Sequence, residues 1–326
     1  MLRFWPGLPL RVCLIWPWFK RIAMQQRSFK QVDVFTATPY FGNPLAVVLD
    51  GGGLDDAAMQ RFAQWTNLSE TTFVLPPTQA TVDYRIRIFT PGGELPFAGH
   101  PTLGSCHAWL EAGGQPKSKE AIVQQCAKGL VHIRRDPGGK RLAFAAPSLT
   151  RSAPSPMALA QVASALGIKA TQITAAQLLD NGPMWLGLLL DRVETVLQLL
   201  PNHQELARLN IKVGVAGIYP TEPSPLIGRA NREAQAFTQS ESTPSPDLEV
   251  RAFAACMGIN EDPVTGSLNA SLAQWLMADG FVDEHFTASQ GVCMGRAGQV
   301  DLQRDSVGQV WVGGQSVTCI DGTVTL

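Results

Sequence analysis

Two stretches far apart in the chain put polar residues beside signals for the start of a helix. His100-Pro-Thr-Leu-Gly104-Ser105 and Asp262-Pro-Val-Thr-Gly266-Ser267 align at a single offset of 162 residues. Proline is favoured in a first helical turn, because the N–H it lacks would have no partner there. The spacing therefore predicts a helix entered at His100-Pro101, with the free N–H groups of Thr102, Leu103 and Gly104 forming an anion site. Asp262 is a good N-cap for the second copy, with or without a ligand. Another acid, Glu70, opens a β-branched and aromatic run, Glu70-Thr-Thr-Phe-Val-Leu75. A carboxylate at the mouth of a strand can be held partly out of water while facing a cleft, where a tuned proton carrier belongs. Its plain alternative is a surface acid or a backbone cap. Taking a proton from carbon with such a group requires a raised pKa and donors that stabilise the developing charge. The helix N-termini and Ser267 would supply those donors, His100 would donate to or orient a substrate, and Asp262 would hold an amino or hydroxyl group.

These residues need elements to position them. Residues 84–89 read as a strand, Pro91-Gly92-Gly93 as a turn, and the stretch to Leu110 as the His100 helix. Upstream of the second copy, Arg251-Ala-Phe253 answers Arg87-Ile-Phe89, which suggests two similar halves aiming one helix each at a shared cleft. Residues 29–35 and 46–49 read as a hairpin around the turn 40–44. Asp55 starts a helix with Met59, Phe62, Ala63 and Trp65 as its apolar positions, and Asn67-Leu68-Ser69 ends it. Strands follow at 121–125, 130–134 and 141–145. The proline- and hydroxyl-rich stretch 147–156 reads as a linker and domain boundary. Ser155 as N-cap, Pro156 and Gly167 then frame a helix that parallels the Asp55 helix.

Beyond it come a strand at 184–190, helices at 193–200 and 204–209, and strands at 213–219 and 248–253. Residues 221–246 read as a long loop. Closing strands are expected at 299–303, 309–312 and 316–320, with Gly313-Gly314 as the hairpin turn between the last two. Glycines on both sides of Arg296 let backbone come close to something. The expected domains are 28–148 and 149–315, with residues 316–326 returning to the first and 1–27 forming an extension.

Composition narrows the function classes. The chain has 326 residues, 26 basic and 27 acidic, for a net charge of −1, which leaves no basic footprint for nucleic acid. Six cysteines, Cys13, Cys106, Cys126, Cys256, Cys293 and Cys319, form no C-x-x-C pair, and five histidines form no H-E-x-x-H, so no metal is expected. Residues 1–23 are apolar but broken by Pro6, Pro9, Arg11 and Pro17, too short for a membrane span. Lys20-Arg21 stands where a cleavage site would want small residues, so an over-extended start or a tail is the expectation.

Five co-linear blocks carry a resemblance to a known family: VDVFTATPYFGNPLAVV, NLSETTFV, FTPGGELPFAGHPTLGS, EDPVTGS and QGVCMGRAGQV. Together they resemble the PhzF-like isomerases, relatives of diaminopimelate epimerase named for the phenazine biosynthesis enzyme. The resemblance implies an α+β, diaminopimelate epimerase-like fold, in which two pseudo-symmetric domains each curl a sheet around a central helix. It places the active site between them, on a small carboxylate substrate, without a cofactor, in a cytoplasmic homodimer. Diaminopimelate epimerases use two cysteines as acid and base, and here Glu70 and Asp262 stand at the matching places. In PhzF-like enzymes the glutamate moves a proton between substrate carbons, assisted by groups matching His100, Asp262 and Ser267. Gly99, Thr265 and Gly266 flank those residues and join the expected site, with Arg296 as a weaker candidate. Two alternatives remain open at this point: an amino-acid racemase or epimerase using Glu70 with Asp262, and a family member that binds a metabolite without turnover.

Overall fold

The computed structural model describes residues 24–220 and 245–326. The stretch 1–23 and the loop expected at 221–246, save its last two positions, lie outside the described residues. The first half runs β1 (Gln26–Val34), β2 (Asn43–Val48), α1 (Asp56–Thr66), β3 (Glu70–Leu75), β4 (Tyr84–Thr90), β5 (Gly93–Leu95), α2 (Gly99–Glu111), β6 (Ile122–Cys126), β7 (Gly129–Arg135) and β8 (Arg141–Ala145). β9 (Thr150–Ser152) and α3 (Pro156–Leu166) lead into β10 (Ile173–Asp180), β11 (Met184–Leu190), α4 (Val193–Leu197), α5 (His203–Leu209), β12 (Val213–Ile218), β13 (Leu248–Ala254) and β14 (Ile259–Asp262). α6 (Gly266–Ala278), β15 (His285–Gln290), β16 (Gly298–Arg304) and β17 (Val310–Thr325) complete the chain.

The two halves repeat one pairing scheme. Antiparallel β1–β2, parallel β2–β3 and antiparallel β3–β4 recur as β10–β11, β11–β12 and β12–β13. The β4–β5 hairpin, the parallel β4–β6 pair and the β6–β7–β8 meander recur as β13–β14, β13–β15 and β15–β16–β17. Each half then closes with a strand from the other. β9 pairs with β10, while the far part of β17, from Ser316 to Thr325, pairs with β1. Part of the expected linker is thus a strand, and the chain end lies beside β1. β1 begins at Gln26, inside the stretch expected as an extension, because buried Arg27 donates to Asp50 O and Gly52 O at 2.6 and 2.8 Å.

The repeat is real, but its register is not the 162-residue one. Arg87 and Arg251 each lie over the phenylalanine two residues on, at 5.0 and 5.1 Å, and each grips a glutamate of the following short strand, Glu94 or Glu261, with two hydrogen bonds. The helices correspond through Gly99 and Gly266, the first residues of α2 and α6, both thirteen residues long. α2 starts one residue before His100, whereas Pro263 lies outside α6. The shared His/Asp-Pro-x-x-Gly-Ser pattern is therefore helix in one half and turn plus helix in the other. Likewise α3 does not stand where α1 does; α4 and α5 fill the place between β11 and β12 that α1 fills between β2 and β3.

Both central helices are buried on nearly every side, α2 from Gly99 through Cys106 and α6 from Leu268 through Ala273. A helix without a solvated face is a core helix, which is why neither shows a clean apolar stripe. Leu103 and Cys106 of α2 and Leu268, Leu272 and Trp275 of α6 belong to one continuous apolar cluster, so the halves share a core. α1 and the α3–α5 group cover the outer sheet faces with separate clusters. Asp55 caps α1 by accepting from Ala58 N, and Asn67 ends it in the left-handed region at φ 53°. Met59, Phe62 and Ala63 are buried as expected, but Trp65 is 77% exposed. At 3.6 residues per turn it falls away from the stripe set by Met59 and Phe62, and it stacks on the side of Phe62 instead.

The expected hairpin turn at Gly313-Gly314 is absent. β17 passes straight through both glycines, pairing with β16 and β8. Their small size serves close packing rather than a turn: a Cβ on Gly314 would meet Phe35 Cδ1 at 2.7 Å and Gln299 O at 3.1 Å. β10, unanticipated, has a mostly half-buried pattern without alternation, and β5 and β14 are too short to show a period. Substituting Gly314→Ala should lower the thermal midpoint, by an overpacking cost of about 1–3 kcal/mol. An unchanged midpoint would instead fit a solvent-facing turn.

Candidate active site

Glu70 opens β3, and its carboxyl lies at the floor of a cavity of about 410 Å³ between the two halves. His100, second residue of α2, brings its Nε2 to 3.4 Å from Glu70 Oε2, yet neither atom has a hydrogen-bond partner. Asp262 closes β14 beside them. Burial dominates all three. It pushes Glu70 up to about 7, only partly offset by the Ser69 hydroxyl, and pushes His100 down to about 4, against the pull of Asp262. Asp262 rises to about 6 by burial and by the nearby Glu70 charge. The cluster thus holds a neutral imidazole between two carboxyl groups that ionise reluctantly.

The geometry around Asp262 is fixed by residues not singled out from the sequence. Asn43, buried at the start of β2, donates from Nδ2 to Asp262 Oδ1 at 3.1 Å and to Val264 O at 2.8 Å, and also faces His100 Nδ1 at 3.5 Å. Two hydrogens face three acceptors, so Asn43 ties the first half to the second. A donor at Nδ1 keeps the His100 proton on Nε2, toward Glu70. Gln290, ending β15, accepts from Thr265 N and Asn269 Nδ2 and donates to Asp262 O and Thr265 Oγ1. Thr265 Oγ1 in turn donates to Asp262 Oδ2 at 2.6 Å. Both residues lie in stretches quoted for the family resemblance, Gly42-Asn43-Pro44 and Gln290-Gly291, where Asn43 reads locally as a turn residue.

α2 and α6 meet end to end. A Cβ placed on Gly266 would lie 3.1 Å from Gly99 Cα and 3.3 Å from His100 N. The unpaired N–H groups at these ends belong to Gly99 and His100 in α2 and to Gly266, Ser267 and Leu268 in α6. The expected donors Thr102, Leu103 and Gly104 are not free, since helical bonding has already begun, with Thr102 N donating to Ala98 O at 3.2 Å. Ser267 lines the cavity, its Oγ accepting from Trp185 Nε1 at 3.2 Å. Among the expected site residues, the cavity brings together Glu70, Gly99, His100, Asp262, Thr265, Gly266 and Ser267. It excludes Arg296, a half-buried residue whose guanidinium donates to Tyr40 O at 2.7 Å, clamping the 291–296 turn onto the loop before β2. Among the described residues, no cluster of three or more metal-ligating side chains occurs, and no helix is long and apolar enough to cross a membrane.

A family model described as phenazine biosynthesis-like protein matches residues 32–322. The chain belongs to the PhzC-PhzF family. Curated relatives include antisense-enhancing sequence 1 of Schizosaccharomyces pombe, 36% identical over 92% of this chain and 99% of that protein. Another is the trans-2,3-dihydro-3-hydroxyanthranilate isomerase of Pseudomonas fluorescens, 30% identical over 90% of this chain and 98% of its own length. In fold it is similar to the PhzF-family protein of Bacillus anthracis, with a TM-score of 0.75 at 21% identity over 93% of this chain and all of the other. The expected diaminopimelate epimerase-like architecture and the isomerase class therefore stand for this PhzC-PhzF protein.

Two measurements probe the cluster. The His100 ring should titrate near pH 4 by NMR, and a midpoint near 6.5 would mean the imidazole is not desolvated. Asn43→Ala removes a hydrogen bond that lowers the Asp262 pKa. It should move the Asp262 carboxyl titration upward and cost about 1–3 kcal/mol through the acceptors left buried.

Proposed function

We propose that this PhzC-PhzF isomerase moves a proton between carbons of a small carboxylate bound in the cavity, with Glu70 as the single proton carrier. The observation that carries this reading is the state of the oxygens. Glu70 lines the cavity, and its Oε2, buried 3.4 Å from His100 Nε2, has no hydrogen-bond partner among the described residues, while both oxygens of Asp262 already accept hydrogen bonds, from Asn43 and Thr265. A two-carrier epimerase would need Asp262 free to exchange protons, so this arrangement favours one carrier.

The chemistry follows from the environment. The substrate carboxylate takes the unpaired N–H groups at Gly99, Gly266 and Ser267, where two helix ends favour negative charge. Ionised Glu70 removes a proton from carbon. The C–H electron pair becomes part of a new double bond as the old one shifts, and the same proton is returned two carbons away. Atoms and electrons balance, and no electron carrier is needed. Neutral His100, holding its proton on Nε2, donates toward the charge that develops near Glu70. Asp262, locked in place, accepts from a substrate hydroxyl or amino group. A carboxylate raised to about 7 is well matched to carbon acids at neutral pH.

The test uses trans-2,3-dihydro-3-hydroxyanthranilate, the substrate named for the Pseudomonas fluorescens relative, together with a panel of unsaturated and α-amino carboxylates in deuterated water. One carrier predicts a moved double bond, with any solvent label on the new carbon; inversion at a labelled carbon would favour epimerisation instead. Glu70→Gln should cut turnover at least about a thousandfold, several kcal/mol of barrier. Full activity in that variant would remove Glu70 from its role.

The pH dependence has a definite sign. kcat/KM should rise as pH passes through about 7, the limb belonging to the coupled Glu70–Asp262 pair. Because folding raises the Glu70 pKa from 4.5 to about 7, the unfolded chain releases this proton first as pH rises, and the group costs stability across that window. Glu70→Gln should therefore raise the thermal midpoint at pH 8 relative to the wild type by more than at pH 4. An equal effect at both values would contradict the desolvated carboxyl.

A further inference from the structure

One part of the cavity wall is built from groups that the proton shift does not use. Lys128, in the turn between β6 and β7, has its backbone N–H bound to Pro96 O, and its ammonium lies 3.3 Å from Asn181 O and 5.9 Å from the Phe97 ring centre. Lys212, just before β12, carries its ammonium 5.2 Å from the Trp185 ring centre. Both lysines line the cavity, and neither is in an ion pair among the described residues. Among the described residues, the only carboxylates lining the cavity are Glu70 and Asp262. Gly182, in the left-handed region at φ +124°, makes room for Lys128, since a Cβ there would lie 3.3 Å from its Nζ.

A second, independent feature marks this wall as polar by construction. Asn181 is 3% exposed; its Nδ2 donates to Ser267 O at 2.9 Å, but its Oδ1 has no donor among the described residues. A buried acceptor without a partner costs free energy unless a donor group of the protein moves to it when ligand binds, since a carboxylate itself only accepts. Asn181 and Trp185 both bind Ser267, so this wall continues directly from the α6 N-terminus.

We propose that Lys128 and Lys212 form a second anion subsite in the same cavity, and that the substrate class of this enzyme is a compact dicarboxylate rather than a monocarboxylate. One carboxylate occupies the helix N-termini, the other lies between ammonium groups contributed by the two halves, and the substrate's apolar frame rests on Phe97 and Trp185. The inference rests on the carboxylate reading given under Proposed function. Burial lowers the Lys212 pKa, only partly countered by Cys256 and Asp180, as expected of a cation waiting for a counter-charge.

The test compares benzoate with phthalate, isophthalate and terephthalate, which share one ring and vary the spacing of the second carboxylate, by titration calorimetry on the full chain. At least one dicarboxylate should bind about tenfold or more tightly than benzoate, and the excess should shrink at high salt, as screened charge pairs do. Lys128→Met and Lys212→Met should each remove most of that excess, and Lys→Arg at either position should retain it. Thermal midpoints of the variants identify any that fail to fold, and the salt dependence of the wild type stands independently of them. Benzoate binding with no dicarboxylate excess, or an excess that survives both Met substitutions, overturns the subsite and leaves the carboxylate reading intact. No binding of any of the four overturns both.

Discussion

The structure depends on the contact of Gly99 with Gly266. Two helices bring like-signed ends together at the distance of touching backbones, with no room for a side chain at either first position. Helix N-termini carry partial positive charge, so placing them together is unfavourable unless negative charge is supplied nearby. Two carboxyl groups line the same cavity, Glu70 at the start of one strand and Asp262 at the end of another, and burial makes both ionise reluctantly. Any side chain at either glycine would force the halves apart.

Desolvation is the next constraint, and it acts on every titratable group of the cluster in the direction that removes charge. It raises the two carboxyl groups and lowers the imidazole, so an ion pair between Glu70 and His100, suggested by their 3.4 Å approach, is not the resting state. A neutral donor beside a reluctant carboxylate is suited to taking a proton from carbon and holding it without loss to water. Asn43 and Gln290 make this arrangement rigid by giving Asp262 and Thr265 fixed partners, whereas Glu70 Oε2 has none among the described residues.

Sharing of strands explains why the cleft keeps its shape. β17 runs from β16 in the second half to β1 in the first, and β9 repays the exchange on β10. One continuous core then spans both central helices, which holds the cavity-lining groups of the two halves in register. The paired arginines mark the same symmetry differently in each half. Arg251 with Glu261 is buried, whereas Arg87 shares its charge between Glu94 and a well-exposed Asp56.

Much was determined by the sequence itself, wherever the cause is local. Caps at Asp55 and Ser155, the left-handed ends at Asn67 and Gly167, and the Arg-x-Phe repeat all act within a few residues and are legible without a fold. The family blocks likewise carried Glu70, His100, Asp262 and Ser267, which meet at one cavity. What only the tertiary structure decided concerns approach between distant segments. The true register of the repeat follows from which backbones touch at Gly99 and Gly266, the straight course of β17 from how closely Phe35 packs on Gly314, and the outward place of Arg296 from its bond to Tyr40. Turn-like residues such as Asn43 and Gly313 obey local propensities in the sequence, but burial and contact reassign them, because desolvation and close packing act through space and not along the chain.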